Sequence, residues 1–258
     1  MQAQHEAPSR PAPGPGVDSC LRAVLGCAHE HLIDSPGLQP CPIEADLADA
    51  RGHMAGRALR LRTRRFTGSG WESLTLAEMT DEHGQLQTLT VIGLPAHTSA
   101  LPILGVDLIG LRGSLSLIAL DLSPTDAQLF TAVWAPLLGE LHAQLQALPG
   151  DPVVPRKRPD FAAHSFSPLA LIAGVRSGAE QVVIPPLCRF VQHLGARLGR
   201  LGATAGCALD PERASQATER AQSWRVAERQ NRREQSALAA IFGAEFARRY
   251  LDGFLFGA

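Results

Sequence analysis

The sequence predicts an α+β fold, in which helices are laid over an antiparallel sheet. Residues 58 to 122 contain short segments of alternating or compact apolar character, joined by connections of only a few residues. After residue 125 the apolar residues recur at helical spacing instead. Strands that are followed by helices, rather than alternating with them, are typical of α+β proteins.

Five strands account for the first part of this pattern. The turn-like links between them are too short for a parallel crossover, so consecutive strands are expected to pair antiparallel. The predicted strands are "ALRLRTRRFT", "ESLTLAEMT", "QLQTLTVIGL", "LPILGVDLIGL" and "SLSLIALDL", and we expect loops at residues 34–53 and 149–168.

Five helices are predicted from apolar spacing. They cover residues 19–32, 126–145, 181–202, 211–235 and 236–258, and the fourth of them is strongly charged. Pro136 is expected to kink or split the second helix, because proline removes a backbone hydrogen bond.

Composition limits the classes of function. The chain has 258 residues, 45% of them hydrophobic, and a formal net charge of -1, which suffices for one large domain or two small ones. A near-neutral balance gives no general attraction to nucleic acid or to anionic membranes, so neither is a predicted partner. Five scattered cysteines favour a cytoplasmic location, and the Pro- and Gly-rich residues 1–18 favour a disordered tail.

Familiar cofactor and catalytic motifs are missing from the sequence. It has no glycine-rich phosphate loop, no G-x-S-x-G elbow and no H-E-x-x-H pair. The histidines of "CAHEH" are two residues apart and do not share a helix face, so we predict no metal site there. A nucleotide cofactor is not predicted either.

Asp107 is the most informative polar residue, because it interrupts the apolar run "LPILGVDLIGL". If it pairs with Glu78, burial and the second carboxylate both raise its proton affinity, and it becomes a proton donor near neutral pH. The alternative is structural: Asp107 caps a strand end or pairs with Arg112. Residue types alone favour the structural alternative.

A series of short motifs, taken in their order along the chain, resembles the motifs of a known protein family. In order, "PCPIEADL", "LPILGVDLI", "LIALDLSP", "SFSP", "AERQN" and "FGAEFARRYLDGFLF" resemble the ferredoxin-dependent bilin reductases, from about residue 38 to the C-terminus. The resemblance implies a single domain over residues 19–258, built as a three-layer α/β/α sandwich with a central antiparallel sheet. It also implies that a linear tetrapyrrole binds between the sheet and the C-terminal helices.

The resemblance extends to the reaction and its partners. It implies reduction of biliverdin IXα or a dihydrobiliverdin by single electrons from a [2Fe-2S] ferredoxin, with no cofactor bound by the protein itself. Heme oxygenase or a second bilin reductase is the implied source of the substrate.

Two acids are implied to be catalytic. The family's proton-donating aspartate lies in a P-x-x-G-x-D motif, which is here completed by Asp107. Glu78 falls where phycocyanobilin-forming relatives have a second catalytic glutamate. The resemblance therefore reverses the preference at Asp107 in favour of catalysis.

Two substrate contacts depart from the family pattern. Thr90 replaces a bilin-contacting His or Asn, and a threonine can hydrogen-bond but cannot act as the acid. Gln230 of "AERQN" replaces an aspartate, so steps assisted by that aspartate are expected to be slow unless Glu228 or Glu234 substitutes.

Two further contacts come from the "SFSP" region. Ser167 is implied to touch the substrate, and the arginine that follows this motif in many relatives falls on Gly174 or, with a shift of two, on Arg176. We name Arg176 as the propionate contact, because a guanidinium can bind a carboxylate through two hydrogen bonds.

Basic residues at 156–158 and 232–233 are either a ferredoxin-docking surface or ordinary solvated charge. Three functions stay open on the sequence alone. They are a bilin reductase, a non-enzymatic bilin carrier on the same scaffold, and an α+β protein-interaction module.

Overall fold

A large antiparallel sheet forms the centre of the molecule. The computed structural model describes residues 17–163, 165–203 and 209–257, without the side chains of residues 17–19, 202 and 203. Within these residues the sheet has nine strands in the order β1-β3-β4-β5-β6-β7-β9-β8, and β2 also pairs with β3. The strands are β1 (Leu38–Cys41), β2 (Asp49–Met54), β3 (Arg57–Gly68), β4 (Trp71–Asp81), β5 (Leu86–Pro95), β6 (Ile103–Leu111), β7 (Ser114–Ser123), β8 (Val153–Pro155) and β9 (Leu171–Val175).

The helices lie before, between and after these strands. They are α1 (Val17–Ala28), α2 (Ala45–Ala48), α3 (Ala127–Leu129), α4 (Ala135–Gln146), α5 (Glu180–Ala203), α6 (Pro211–Glu228), α7 (Arg232–Phe242) and α8 (Ala244–Arg248). Wider π-helical turns occur at His29–Ile33, Phe130–Trp134 and Arg249–Leu255, and a short 3-10 helix at Asp160–Ala162.

Each face of the sheet has its own hydrophobic core. Leu89, Leu108 and Ile118 belong to the core that the sheet forms with α1, α4 and α5. Ile92 and Ile103 belong to the second core, which includes residues of α6, α7 and the C-terminal π-helical turn. Alternate residues of one strand therefore enter different cores. The predicted α+β fold with a central antiparallel sheet is confirmed.

The sheet is larger than the sequence predicts. All five predicted strands are present as β3 to β7, but β1, β2 and β8 lie in segments expected to be loops, and β9 was not predicted. These four strands are three to six residues long, and two of them contain proline, which masks the alternation that identifies a strand.

The helical part differs from the expectation at two breaks. Pro136 stands in the first turn of α4, directly after a π-helical turn, but α3, this turn and α4 follow one another without a gap, so the predicted split is not observed. The predicted charged helix 211–235 is wrong as a single helix, because α6 ends at Glu228 and α7 begins at Arg232. A final break falls at Gly243, whose φ of 94° separates α7 from α8.

The expected tail at residues 1–18 lies outside the described residues, except that α1 already begins at Val17. Among the described helices, none combines the length and the apolar character that crossing a membrane requires.

Candidate active site

Asp107 lies in the middle of β6, directly opposite Thr90 of β5. The Thr90 Oγ1 hydroxyl donates a hydrogen bond of 2.6 Å to Asp107 Oδ1. On the other side Asp107 faces Ala119 of β7, and Thr90 faces Ala77 of β4. The structure therefore brings two of the predicted site residues together, with small residues on both sides.

The face of the sheet that carries Asp107 lies on the side of α6 and α7 and is partly accessible, and we call this accessible surface the groove. Along β6 this face changes from buried at Ile103 to partly accessible at Gly105, and to exposed at Asp107 and Leu111. Leu89, Leu108 and Ile118, on the opposite face at the same level, are fully enclosed. The accessible side chains thus mark one open surface between the sheet and the helices.

Asp107 keeps its proton more readily than an ordinary aspartate. Burial among the surrounding protein atoms raises its pKa, and the hydrogen bond from Thr90 opposes this effect. The carboxyl nevertheless remains accessible from the groove. Asp107 can therefore hold a proton and present it to a molecule in the groove.

Two glutamates face Asp107 from the helical side. Burial, together with the charge of Asp107, raises the pKa of Glu234 to about 8. Burial and the charges of Glu234 and Asp107 raise the pKa of Glu228 well above its ordinary value. Glu228 Oε1 is buried and has no hydrogen-bond partner among the described residues, which is less costly for a neutral carboxyl than for a charged one.

The break between α6 and α7 positions Glu234. Asn231 is the N-cap of α7: its side-chain oxygen accepts from the Glu234 backbone N–H at 3.4 Å. The Asn231 amide donates in return to Glu234 Oε2 at 3.1 Å. This reciprocal pair resembles a capping box, and the N-x-x-E spacing of "NRRE" was readable in the sequence.

Comparison with known proteins identifies the family. The family model for ferredoxin-dependent bilin reductases matches residues 26–257. The chain belongs to the ferredoxin-dependent bilin reductase family. It is a ferredoxin-dependent bilin oxidoreductase, as its relatives are named, and the expected resemblance is confirmed.

Two relatives agree with this membership, and one solved structure shares the fold. The chain is 27% identical over 212 residues to a phycocyanobilin:ferredoxin oxidoreductase of Synechococcus elongatus, covering 82% of each chain. It is 26% identical over 220 residues to the enzyme of the same name from Trichodesmium erythraeum, covering 85% of each. The crystal structure of tomato phytochromobilin synthase in complex with biliverdin shares the fold, with a TM-score of 0.66 at 16% identity, over 93% of this chain and 82% of that one.

Glu78 does not accompany Asp107, and the expected pairing of the two acids is wrong. Glu78 lies opposite Leu89, on the face of the sheet that packs against α1 and α5, because it is one residue out of phase with Ala77. Its Oε1 is 3.4 Å from Arg64 Nη2, which also lies 2.6 Å from His29 Nε2. Glu228 and Glu234 are the glutamates whose charges act on the groove.

Ser167, the expected substrate contact, is buried and engages a different acid, Asp121. Its hydroxyl and its backbone N–H both donate to Asp121, at 2.5 and 2.9 Å. Asp121 lies on the groove face of β7, and burial raises its pKa while these hydrogen bonds oppose the rise. Sequence reasoning missed Asp121, although its position two residues after Ala119 places it on the same face as Asp107.

Neither Arg176 nor Gln230 has a hydrogen bond to Asp107 within the described residues. Arg176 follows the end of β9, and its Nε donates to the backbone oxygen of Asp151 at 2.8 Å. Gln230 stands exposed in the turn between α6 and α7, and its side chain makes no hydrogen bond to the described part of the chain. The neighbouring Glu228 and Glu234, rather than Gln230, share the electrostatic environment of Asp107.

Proposed function

We propose that this protein reduces a linear tetrapyrrole of the biliverdin type by successive electron and proton transfers, with a [2Fe-2S] ferredoxin as the electron donor. The observation that carries the proposal is Asp107, an accessible carboxyl with a raised pKa at the centre of the groove. The tomato phytochromobilin synthase of the same fold was crystallised with biliverdin, which supports a ligand of this class.

The chemistry requires a proton donor beside the ligand. Reduction of one carbon–carbon double bond consumes two electrons and two protons, and each added electron makes the conjugated ring system more basic. Asp107 supplies one proton from the sheet. The Thr90 hydroxyl then stabilises the carboxylate that remains, because a hydrogen bond to the charged form favours it. Water that enters the open groove restores the proton.

Glu234 supplies the second proton from the helical side. A pKa of about 8 keeps most of this carboxyl protonated at neutral pH, and its side chain is held by Asn231. Glu234 thereby takes the part that Gln230 cannot perform, because an amide does not release a proton under mild conditions.

The test of Asp107 uses anaerobic absorption spectra of protein with biliverdin, before and after addition of reduced ferredoxin. Wild-type protein, Asp107→Asn and Glu78→Gln are compared, the last as a matched control on the opposite face of the sheet. All three are expected to bind biliverdin. Wild-type and Glu78→Gln protein form a reduced product, whereas Asp107→Asn does so at least about 10²-fold more slowly.

Three outcomes separate the hypotheses. Product formation by Asp107→Asn at the wild-type rate contradicts the assignment of Asp107. Binding by wild-type protein without any spectral change under electron supply indicates a bilin carrier. No binding at all contradicts the proposed substrate class, and the protein-interaction module is then the remaining hypothesis.

A second pair of variants tests Glu234. Glu234→Gln is expected to bind biliverdin normally and to form the two-electron product about 10²-fold more slowly. Glu245→Gln, an exposed glutamate paired with Arg248, is the control and keeps the wild-type rate. An unchanged rate in Glu234→Gln assigns the second proton to another group.

A further inference from the structure

Two cysteines that are distant in the sequence meet on the face of the sheet opposite the groove. Cys27 stands near the end of α1, and Cys188 stands in the first half of α5. Each is half-buried and packs against the core that the sheet forms with α1, α4 and α5. Neither cysteine is part of a disulfide in the structure. The pair is therefore a site of its own, separate from the groove.

The packing of α1 against α5 sets these two thiols opposite each other. Before the pair, the Gln181 side-chain amide donates to the Cys20 sulfur at 3.3 Å. After the pair, α5 approaches the π-helical turn that follows α1 so closely that a Cβ at Gly195 would lie 2.2 Å from His31 O. The residue numbers rise together along both helices, so the helices run parallel. Each thiol of the pair follows the first contact by seven residues, which is two helical turns, and so faces the partner helix again.

The two thiols are hydrogen-bonded to each other and have different roles in this bond. Burial and the hydrogen bond with Cys27 raise the pKa of Cys188 to about 12. Cys188 therefore keeps its proton and donates it to the Cys27 sulfur, so that a negative charge on the pair resides on Cys27. The thiolate is the form of cysteine that attacks an oxidant. Cys27 is thus the attacking residue of the pair, and Cys188 is the residue that lies ready to react with its product.

We propose that Cys27 and Cys188 are an oxidation site, at which hydrogen peroxide forms a reversible disulfide between α1 and α5. The Cys27 thiolate attacks one peroxide oxygen, the O–O bond breaks, and the products are a sulfenic acid and, after protonation, water. The Cys188 sulfur then attacks the sulfenic acid, the S–S bond forms, and a second water carries away the hydroxyl group and the Cys188 proton. The two thiols together lose two electrons and two protons, which the peroxide takes up. A dithiol reductant reverses the reaction.

The geometry of the pair favours the disulfide over further oxidation. The sulfur atoms already lie at hydrogen-bond distance, so only a short approach is needed to reach the disulfide bond length of about 2.05 Å. Cys188 therefore captures the sulfenic acid before a second peroxide can convert it irreversibly to the sulfinic acid. Cys41, which is also half-buried but lies in the edge strand β1, provides an internal comparison. The inference is independent of the proposed function, because it involves no residue of the groove.

The test follows the oxidation of reduced protein by an equimolar amount of hydrogen peroxide, after which N-ethylmaleimide blocks the remaining thiols. Digestion with trypsin and Glu-C separates the cysteines, because fragments 23–30, 181–189 and 31–44 contain only Cys27, Cys188 and Cys41, respectively. Mass spectrometry is expected to find fragments 23–30 and 181–189 linked within monomeric protein. The link is expected to form at least about tenfold faster than Cys41 is oxidised, and to disappear with dithiothreitol.

Single variants test the two roles. In Cys188→Ser the sulfenic acid on Cys27 has no partner thiol, so it is expected to accumulate and to be labelled by dimedone. In Cys27→Ser the protonated Cys188 is expected to stay at least about tenfold less labelled. Cys41→Ser is the matched control and forms the disulfide at the wild-type rate.

Three results overturn the inference. The first is oxidation of Cys27 and Cys41 at equal rates without a linked fragment. The second is a link that occurs only between two protein molecules and is missing from the monomer. The third is equal dimedone labelling of Cys188 in Cys27→Ser and of Cys27 in Cys188→Ser, which contradicts the roles assigned to the two thiols. None of these measurements involves a bilin, so they are separate from the tests of the proposed function.

Discussion

The pair formed by Asp107 and Thr90 shows how a single hydroxyl adjusts the acid that we propose as the proton donor. Burial raises the pKa of Asp107, and the hydrogen bond from Thr90 is the interaction that lowers it. The acid must hold its proton before the electron arrives and release it afterwards. A hydroxyl that stabilises only the charged form favours the release.

Replacement of Thr90 tests this balance. In Thr90→Val the pKa of Asp107 is expected to rise further, so that its carboxyl stays protonated to higher pH and donates its proton more slowly. The measurement is the pH dependence of the carboxyl infrared band that Asp107→Asn removes. Thr88→Val, which changes a residue of the same face and strand, is the control and leaves this titration unchanged. An identical titration in Thr90→Val and wild-type protein contradicts the role given to the hydroxyl.

At the scale of elements, helix α7 matters most, because it carries Glu234 to the groove. The N-terminus of α7 is fixed by Asn231, and its C-terminus lies against β2. Gly52 makes the second contact possible: a Cβ there would lie 2.3 Å from Ile241 O and 2.7 Å from Phe242 Cδ1.

Gly52→Ala is expected to push α7 away from β2 and to lower the free energy of unfolding by about 1–3 kcal/mol, the usual cost of overpacking. Urea unfolding measures the difference. Gly26→Ala is the matched control, because nothing lies within 4 Å of its added methyl group. In the interior of α1 that change is expected to stabilise by about 0.5–1 kcal/mol. Equal stabilities of Gly52→Ala and wild-type protein are incompatible with a close contact between α7 and β2.

The other end of α7 gives a separate prediction. Asn231→Ala removes the N-cap and is expected to cost about 1 kcal/mol of unfolding free energy. It also removes the hydrogen bond that lowers the pKa of Glu234, so that this pKa rises above its present value of about 8. Asn231→Asp retains a capping oxygen but has no amide group to donate to Glu234. In the same unfolding experiment it therefore separates the loss of the N-cap from the loss of the hydrogen bond to Glu234. A destabilisation of equal size in both variants argues against capping as the cause.

On the scale of the whole molecule, four acids with raised pKa values couple the stability of the fold to pH. The pKa values of Asp107, Asp121, Glu228 and Glu234 are all raised by burial. Between the ordinary pKa of such an acid and its raised value, the folded state binds more protons than the unfolded state. Stability therefore falls as pH rises through this interval.

Glu234 sets a defined window for this effect. Its pKa is about 8 in the folded protein against an ordinary value of 4.5. The loss of folding stability that this carboxyl causes therefore grows between these two pH values and is constant above them. Glu234→Gln removes the penalty. We expect the variant to gain stability relative to wild-type protein from pH 5 to pH 8, by about a few kcal/mol at the upper end. Thermal unfolding across this range measures the difference, and parallel curves refute a buried, protonated Glu234.

The sequence by itself determined the five central strands and their antiparallel connection, and its resemblance to the family predicted Asp107 and Thr90 as site residues. Alternation and short links are local properties, so they are visible without the fold. The faces on which side chains meet are not local, because a shift of one residue turns a strand side chain to the other side of the sheet. Only the tertiary structure decided that Glu78 faces away from Asp107, that Glu228 and Glu234 approach it from a broken helix, and that Ser167 engages Asp121. The edge strands β8 and β9 became visible only in the tertiary structure, because segments of three and five residues are too short to show a recognisable alternation.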